Sequence, residues 1–418
     1  MEKTRQENLF MYHFLWGSLL LCVAMFSGFQ PARAASQDLE VTVQLAERQS
    51  STLIGTSATA TVSGYTNGSW KELGRLLPNQ DLHLKGLAAS ISVLNLDGHP
   101  QYPELRIDPP NEEAYLTLNK KPYRGSLYLV ASRSGFDVRN VLSLEHYLYS
   151  VVPSEMPASW PLDALKSQAV AARTFALVHM NSASNKRGYD VAATTASQVY
   201  QGMKAEHPRS TQAVKETRGQ VVTFQGRPIE AYFHSTSGGQ TEFGGDLWAN
   251  RPYLKPVKDL DHASPKYVWH TQMTQSQVQS ALRTRLKIDV GPVLSMQAVG
   301  HTQGGRVKDL KIQGTRGVKI VSGDKFRMAL QLNSTFFNVG GLDPAGVIIN
   351  PQSAEIPERF EFAGRGWGHG IGLSQWGARQ MAINGMDYQQ ILKHYYQGVH
   401  VNTIQPLQDP RRYKIASL

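Results

Sequence analysis

The sequence predicts an α+β protein, and three observations carry that expectation. Short alternating strands crowd the first third of the chain, as in Leu39-Glu40-Val41-Thr42-Val43 and Leu82-His83-Leu84. One strong helix follows, marked by Leu162, Leu165, Ala169, Ala172 and Ala176 at spacings of three and four. Beyond it, motifs on both sides of a central lobe look like parts of one site. The composition permits a packed core: 41% of the 418 residues are hydrophobic and 18% charged, which excludes wholesale disorder.

Residues 1–34 read as an export signal. Lys3 and Arg5 open it, offset by Glu2 and Glu7, and the run from Phe14 to Phe26 gives an apolar core of 13 residues. That core is short for a bilayer span. Ala32-Arg33-Ala34 supplies the small-x-small cleavage pattern. A retained membrane anchor is the alternative; a lipoprotein at Cys22 is disfavoured by Leu21 before it. Cleavage would lower the formal net charge from +10 to +9 and remove the one cysteine. The mature part would then hold no disulfide, no thiol nucleophile and no thiolate zinc site. Its positive charge suits an anionic partner: nucleic acid, acidic lipid or cell-wall polymer. Export and the lack of a Lys/Arg run with interleaved aromatics argue against nucleic acid. The charge reads as spread along the chain, and solubility is its plain explanation.

Residues 35–115 are expected to form a β-rich accessory region, with a turn at Asn67-Gly68 and a Pro- and acid-rich linker over 97–114. Strands resume at Leu116-Thr117-Leu118 and from Ser126 to Val130. The strong helix is placed from Pro161 to Met180, with Ser159 as its cap. A second helix is expected from Thr211 to Arg218. A hairpin follows, with strands Val221–Phe224 and Ile229–Phe233 around Gln225-Gly226. Residues 265–345 read as an inserted lobe with a helix near Ser276 to Arg285 and strands around Val299, Val307 to Ile312 and Val318 to Val321. Two helices close the chain, near Ser374 to Ala382 and Tyr388 to Tyr395. The core is thus assigned to 120–264 and 358–405.

Four clusters hold chemistry-bearing residues. In Val151-Val152-Pro153-Ser154-Glu155-Met156-Pro157, one carboxylate lies between two prolines and among apolar neighbours. Such a setting fixes its direction and raises its pKa, as a general acid requires; an exposed loop glutamate is the plain alternative. Ser197-Gln198-Val199-Tyr200-Gln201-Gly202 combines hydroxyl, amide and aromatic groups suited to sugars or to an ordinary turn. In Glu230-Ala231-Tyr232-Phe233-His234-Ser235-Thr236, strand alternation puts Glu230, Tyr232 and His234 on one face, either a cleft wall or a solvated sheet face. The run Gly364-Arg365-Gly366-Trp367-Gly368-His369-Gly370-Ile371-Gly372 lets backbone approach a ligand closely. It is neither a dinucleotide fingerprint nor a P-loop. HExxH and GxSxG are both absent.

Together and in this order, the clusters resemble the stage II sporulation protein D (SpoIID/LytB) family. The resemblance rests on Leu144 to Leu148, Val152 to Pro157, Ala164 to Thr174, Ser197 to Gly202, Tyr232 to Gly239 and Gly366 to Gln375, and spans roughly 120–400. It implies a SpoIID-like core, bacterial peptidoglycan glycan strands as ligand, and export to the periplasm or cell wall. Sporulation members are lytic transglycosylases acting on strands stripped of stem peptides; others are enhancers of cell-wall amidases. The catalytic acid falls on Glu155. Gln168, Arg173, Gln198, Tyr200, Tyr232, His234, Ser235, Thr236, Trp367, His369 and Gln375 are expected to contact glycan. Some members bind zinc near the His-Ser-Thr loop through cysteines. This chain has Ser237 there, so no metal and no cofactor is expected. A hydrolase with Asp246, Asp259 or Asp261 as second carboxylate is the third alternative.

Overall fold

The computed structural model describes residues 38–95, 98–180, 188–248, 250–407 and 413–415. The segment expected to be an export signal lies outside them. From Ser36 onward the chain forms one compact unit. Mixed helices and strands build it, as an α+β chain should.

Two sheets carry the first part of the chain. One has seven strands in the order Val191–Ala192, Glu40–Gln49, Gly135–Ser143, Ser126–Ser132, Glu104–Asp108, Ala60–Thr66 and Ser69–Leu76. The other has six, with Ser51–Thr56 between Tyr115–Leu118 and Leu82–Leu87. Their buried residues, such as Val41, Val43, Ile54, Leu84, Ile91, Leu127 and Val138, belong to a single apolar cluster. The expected accessory region therefore shares its sheet and its core with the rest. Glu40–Gln49 pairs with Gly135–Ser143, joining residues about a hundred positions apart along the chain.

Helix α1 spans Leu144–Glu155 and starts where the Ser143 hydroxyl accepts from the His146 amide. Glu155 is thus the last residue of a helix rather than part of a loop. Pro153 sits in its final turn, and Met156 ends it in extended conformation. Helix α2, Leu162–Met180, buries Leu165, Ala169, Ala172 and Ala176 as the spacing predicts. It also buries Ala164, Ala171 and Phe175, so it is enclosed on most sides.

The hairpin turn at Gln225-Gly226 forms with both residues at positive φ, between Gln220–Phe224 and Arg227–Pro228. The predicted strand beyond it does not continue. The Tyr232 amide donates to the Glu230 carbonyl, a tight turn that breaks the alternation. Glu230 faces Arg251 at 2.6 Å, while His234 is buried. Phe233–His234 pairs instead, in parallel, with Leu373–Ser374.

A second apolar cluster draws on Trp269, Val293, Met296, Leu310, Ile312, Phe326, Phe337, Phe360 and Phe362. Its strands form two three-stranded sheets. Arg359–Arg365, assigned from sequence to the second core segment, lies between Val268–Thr274 and Phe337–Leu342 and contributes two of these phenylalanines. Residues 271–330 hold ten Lys and Arg against three Asp and Glu. Most of the net positive charge is therefore concentrated there rather than spread along the chain. Among the described residues no helix is long and apolar enough to cross a membrane.

Candidate active site

The carboxyl group of Glu155 projects from the end of α1 and is held at both oxygens. The Val199 amide donates to Oε1 at 2.9 Å, and Gln375 Nε2 donates to Oε2 at 3.3 Å. Burial pushes its pKa above the ordinary glutamate value, against the opposing pull of these two donors. Met156, Val151, Val152 and Trp160 beside it in sequence are buried. Replacing Gln375 by Leu should raise the Glu155 pKa further. The change removes a donor that favours the charged form and leaves the burial intact. Carbon-13 NMR titration of the glutamates checks this, and an unmoved Glu155 resonance would show that Gln375 does not hold it.

The Gly-rich segment meets α1 through Gln375. Trp367 and Thr236 exchange two backbone hydrogen bonds, of 3.1 and 2.8 Å. Trp376 donates its amide to the Ser235 carbonyl. His369 is fixed at both ring nitrogens: Nε2 donates to the Phe233 carbonyl at 3.0 Å, and Nδ1 accepts from the Ile371 amide at 3.0 Å. Burial, aided by Arg327 and Arg306, lowers its pKa to about 3. His234 Nδ1 lies 3.1 Å from the Ile371 carbonyl, and burial lowers its pKa as well. Both imidazoles are therefore neutral. Gly370, at φ +84°, leaves room for the buried Arg306 guanidinium, which a Cβ would meet at 2.5 Å.

Among the described residues, this neighbourhood does not supply a zinc donor set. His369 has no free nitrogen, and the Ser237 hydroxyl donates to Asp259 Oδ2 at 2.7 Å.

An aromatic wall accompanies the segment. Tyr232 and Trp248 rings lie 4.8 Å apart, Trp248 and His369 4.8 Å, and Phe175 and Tyr232 6.1 Å. Trp248 and Trp367 are each about half exposed, at 47% and 49%. Exposed indoles offer flat apolar faces to a sugar ring. Ser235 is partly exposed next to them, while the Thr236 hydroxyl is buried against Ser264 at 2.7 Å.

Besides His234, Thr236 and Gln375, which are buried in the segment just described, four more expected contact residues are interior. Arg173 is wholly buried and grips both oxygens of Glu145 at 2.7 Å. Gln198 accepts from Tyr147 and donates to the Ala172 carbonyl. Tyr200 donates to Asn140 at 2.7 Å and stacks on Tyr147. Gln168 is buried with no hydrogen-bond partner for its amide among the described residues. None of the four offers a surface to a ligand. Sequence reasoning placed them by their motifs, and long polar side chains turned inward are not distinguishable there from ones turned outward. It missed the Val199 amide, Phe175, Trp248 and Trp376.

The three candidate second carboxylates each accept hydrogen bonds from neighbouring groups. Asp261 accepts from the Gly238 and Gly239 amides at 2.7 and 2.9 Å. Asp259 accepts from Ser237 and Tyr395, and Gly377 packs so closely that a Cβ there would lie 1.8 Å from its Oδ1. Asp246 accepts the Gln303 amide at 2.8 Å.

The profile of the SpoIID family, stage II sporulation protein, matches residues 132–224. A domain of unknown function, DUF8618, matches 249–372. The stage II sporulation protein D of Bacillus subtilis is 35% identical over 303 residues, 68% of this chain and 81% of that protein. An uncharacterized protein of Brachyspira hyodysenteriae is 33% identical over 68% of this chain and 73% of its own length. The amidase enhancer of Bacillus subtilis is 30% identical over 60% of this chain, covering 39% of that longer protein. The chain belongs to the stage II sporulation protein D family.

Proposed function

We propose that the protein is an exported lytic transglycosylase that cleaves peptidoglycan glycan strands, with Glu155 as its single acid and base. One observation carries this reading: a half-buried carboxyl, raised in pKa, is gripped by two donors and, among the described residues, bonded to no second carboxylate. Hydrolysing glycosidases ordinarily need two carboxyl groups. A transglycosylase needs one. Glu155 in its acid form gives a proton to the glycosidic oxygen as the bond from that oxygen to the muramyl C1 breaks. The muramyl C6 hydroxyl then bonds to C1 and returns its proton to the carboxylate. The products are a 1,6-anhydro end and a free C4 hydroxyl, with no water consumed. Trp248, Trp367, Tyr232 and Ser235 would line the strand; His234 and His369 hold the loop that presents them. The signal segment at 1–34 would deliver the protein to the periplasm or cell wall.

A second reading is supported by the relative named amidase enhancer. Here the protein binds glycan and presents it to a cell-wall amidase without cutting it. Mass spectrometry of peptide-free strands digested with purified protein separates the two. Anhydro-muramyl ends are expected. Reducing ends would point to hydrolysis, and bound but uncut strands to the enhancer.

A further inference from the structure

We propose that Arg306, from the lobe built around the second apolar cluster, is a positioning residue for Glu155. Its guanidinium holds the Gly-rich segment in the conformation that delivers Gln375 to the acid. The inference deepens the Glu155 reading above and gives that lobe a part in the site.

Arg306 lies between the strands Val293–His301 and Val307–Gly314, and its side chain is buried. It meets the chain just beyond Phe233–His234 and just before Leu373–Ser374, the two strands that pair in parallel. On the first side Nη2 donates to the Ser237 carbonyl at 2.5 Å. On the second, the guanidinium fills the space that a Cβ of Gly370 would need. Glu242, buried and 3.8 Å from Arg306, donates its amide to the Gly370 carbonyl at 2.8 Å. The chain then passes through Leu373–Ser374 to Gln375, whose Nε2 reaches Glu155. Neighbouring parts of the lobe secure the same segment. The Arg365, Gly366 and Gly368 amides donate to the Phe336, Tyr267 and Asn333 carbonyls at 2.9, 3.1 and 2.9 Å.

Stability alone does not account for this cation. Burial pushes its pKa down to about 10, against the pull of Glu242 and Asp261. Its Nη1 has no hydrogen-bond partner among the described residues. Glu242 is satisfied without it, since the Phe243 and Gly304 amides and the Thr302 hydroxyl donate to that carboxylate. Desolvating a buried charge with so few partners costs more than such pairing returns. What the guanidinium supplies is shape and one directed bond, which tie Ser237 and Gly370 to each other. An aliphatic side chain would lose the Ser237 bond and release the segment that carries Gln375.

The test reads the Glu155 titration by carbon-13 NMR, which needs no cleavage, beside strand cleavage and thermal melts. Arg306→Met should move the Glu155 pKa upward, the direction expected of Gln375→Leu, because the same donor is withdrawn. Combined with Gln375→Leu, it should move the pKa no further. Cleavage should fall by about 10²-fold, the scale of an ångström's misplacement in a site. Arg306→Lys keeps a cation near Glu242 and loses the guanidinium's shape, so it should show the same upward shift. It decides the matter if Arg306→Met does not fold. Lys308→Gln, an exposed charge on the same lobe, should leave titration and cleavage unchanged. A folded Arg306 variant whose Glu155 titrates as in wild type overturns the proposal, whatever its melting temperature. So does a double variant that shifts beyond Gln375→Leu alone. Those results leave Glu155 standing as the acid. The upward shift in a protein whose wild type cuts no strand upholds the positioning role and defeats the lytic reading instead.

Discussion

Glu155→Gln should lower strand cleavage by about 10²–10⁴-fold or more, the usual contribution of general acid–base catalysis. The amide is the same size as the carboxyl. Its oxygen still accepts from the Val199 amide, and Gln375 can turn its own oxygen toward the new NH₂ group. Fold and glycan retention should therefore persist while proton transfer is lost. Stability carries a second readout. The folded-state pKa of Glu155 is raised, because burial disfavours the charged form. Below the unfolded value of about 4.3, the carboxyl is protonated in both states and contributes nothing. As pH rises through that value toward the folded one, the unfolded chain releases its proton first and gains. The cost is complete above the folded pKa. The variant should thus be as stable as wild type or slightly more so at neutral pH, and the two should converge in acid. Thermal melts across pH and product release at matched pH measure both effects. Near wild-type release of anhydro-muramyl products by the variant would remove Glu155 as the acid.

Some of this site is written locally in the chain, and some is not. The helix Leu162–Met180 was legible because its apolar residues recur at helical spacing. Helix α1 was not, because Pro153 near its end mimics a loop signal, although the last turn tolerates it. The stretch from Ile229 to His234 misled for another reason. Its alternation is correct for a strand, but the turn at Glu230 to Tyr232 diverts it to pair with Leu373–Ser374, some 140 residues away. No local pattern records such a partner. The same holds for Glu40–Gln49, which read as part of a separate region until its pairing with Gly135–Ser143 was visible. The approach of Gln375 to Glu155 spans 220 positions, yet both residues fell within the matched motifs. Recognition of the family located them, while burial decided which motif residues remain open to a ligand.

Arg173 belongs to the interior group, and its replacement should show it. Arg173→Met should destabilise the protein by about 3–5 kcal/mol, the usual cost of stranding one member of a buried ion pair. The guanidinium is wholly buried and Glu145 nearly so. Two parallel bonds of 2.7 Å join them, and Arg173 also donates to the Gln220 and Val214 carbonyls. Removing the cation leaves Glu145 with a buried charge that must be neutralised or hydrated. Glu145 lies in the first turn of α1 and Arg173 in α2, so the pair clamps the two helices whose packing directs Glu155. Arg173→Lys should recover little, because an ammonium cannot reproduce the fork. The double variant Arg173→Met, Glu145→Leu should recover more, since apolar residues of similar volume often replace a buried pair without net loss. It will not recover everything, because the Gln220 and Val214 carbonyls lose a donor. Urea denaturation of wild type, Arg173→Met, Glu145→Leu and the double variant gives the coupling energy by a double-mutant cycle. A single-variant loss below about 1 kcal/mol, in the range of exposed pairs, would mean that Arg173 is solvated and available to a ligand after all.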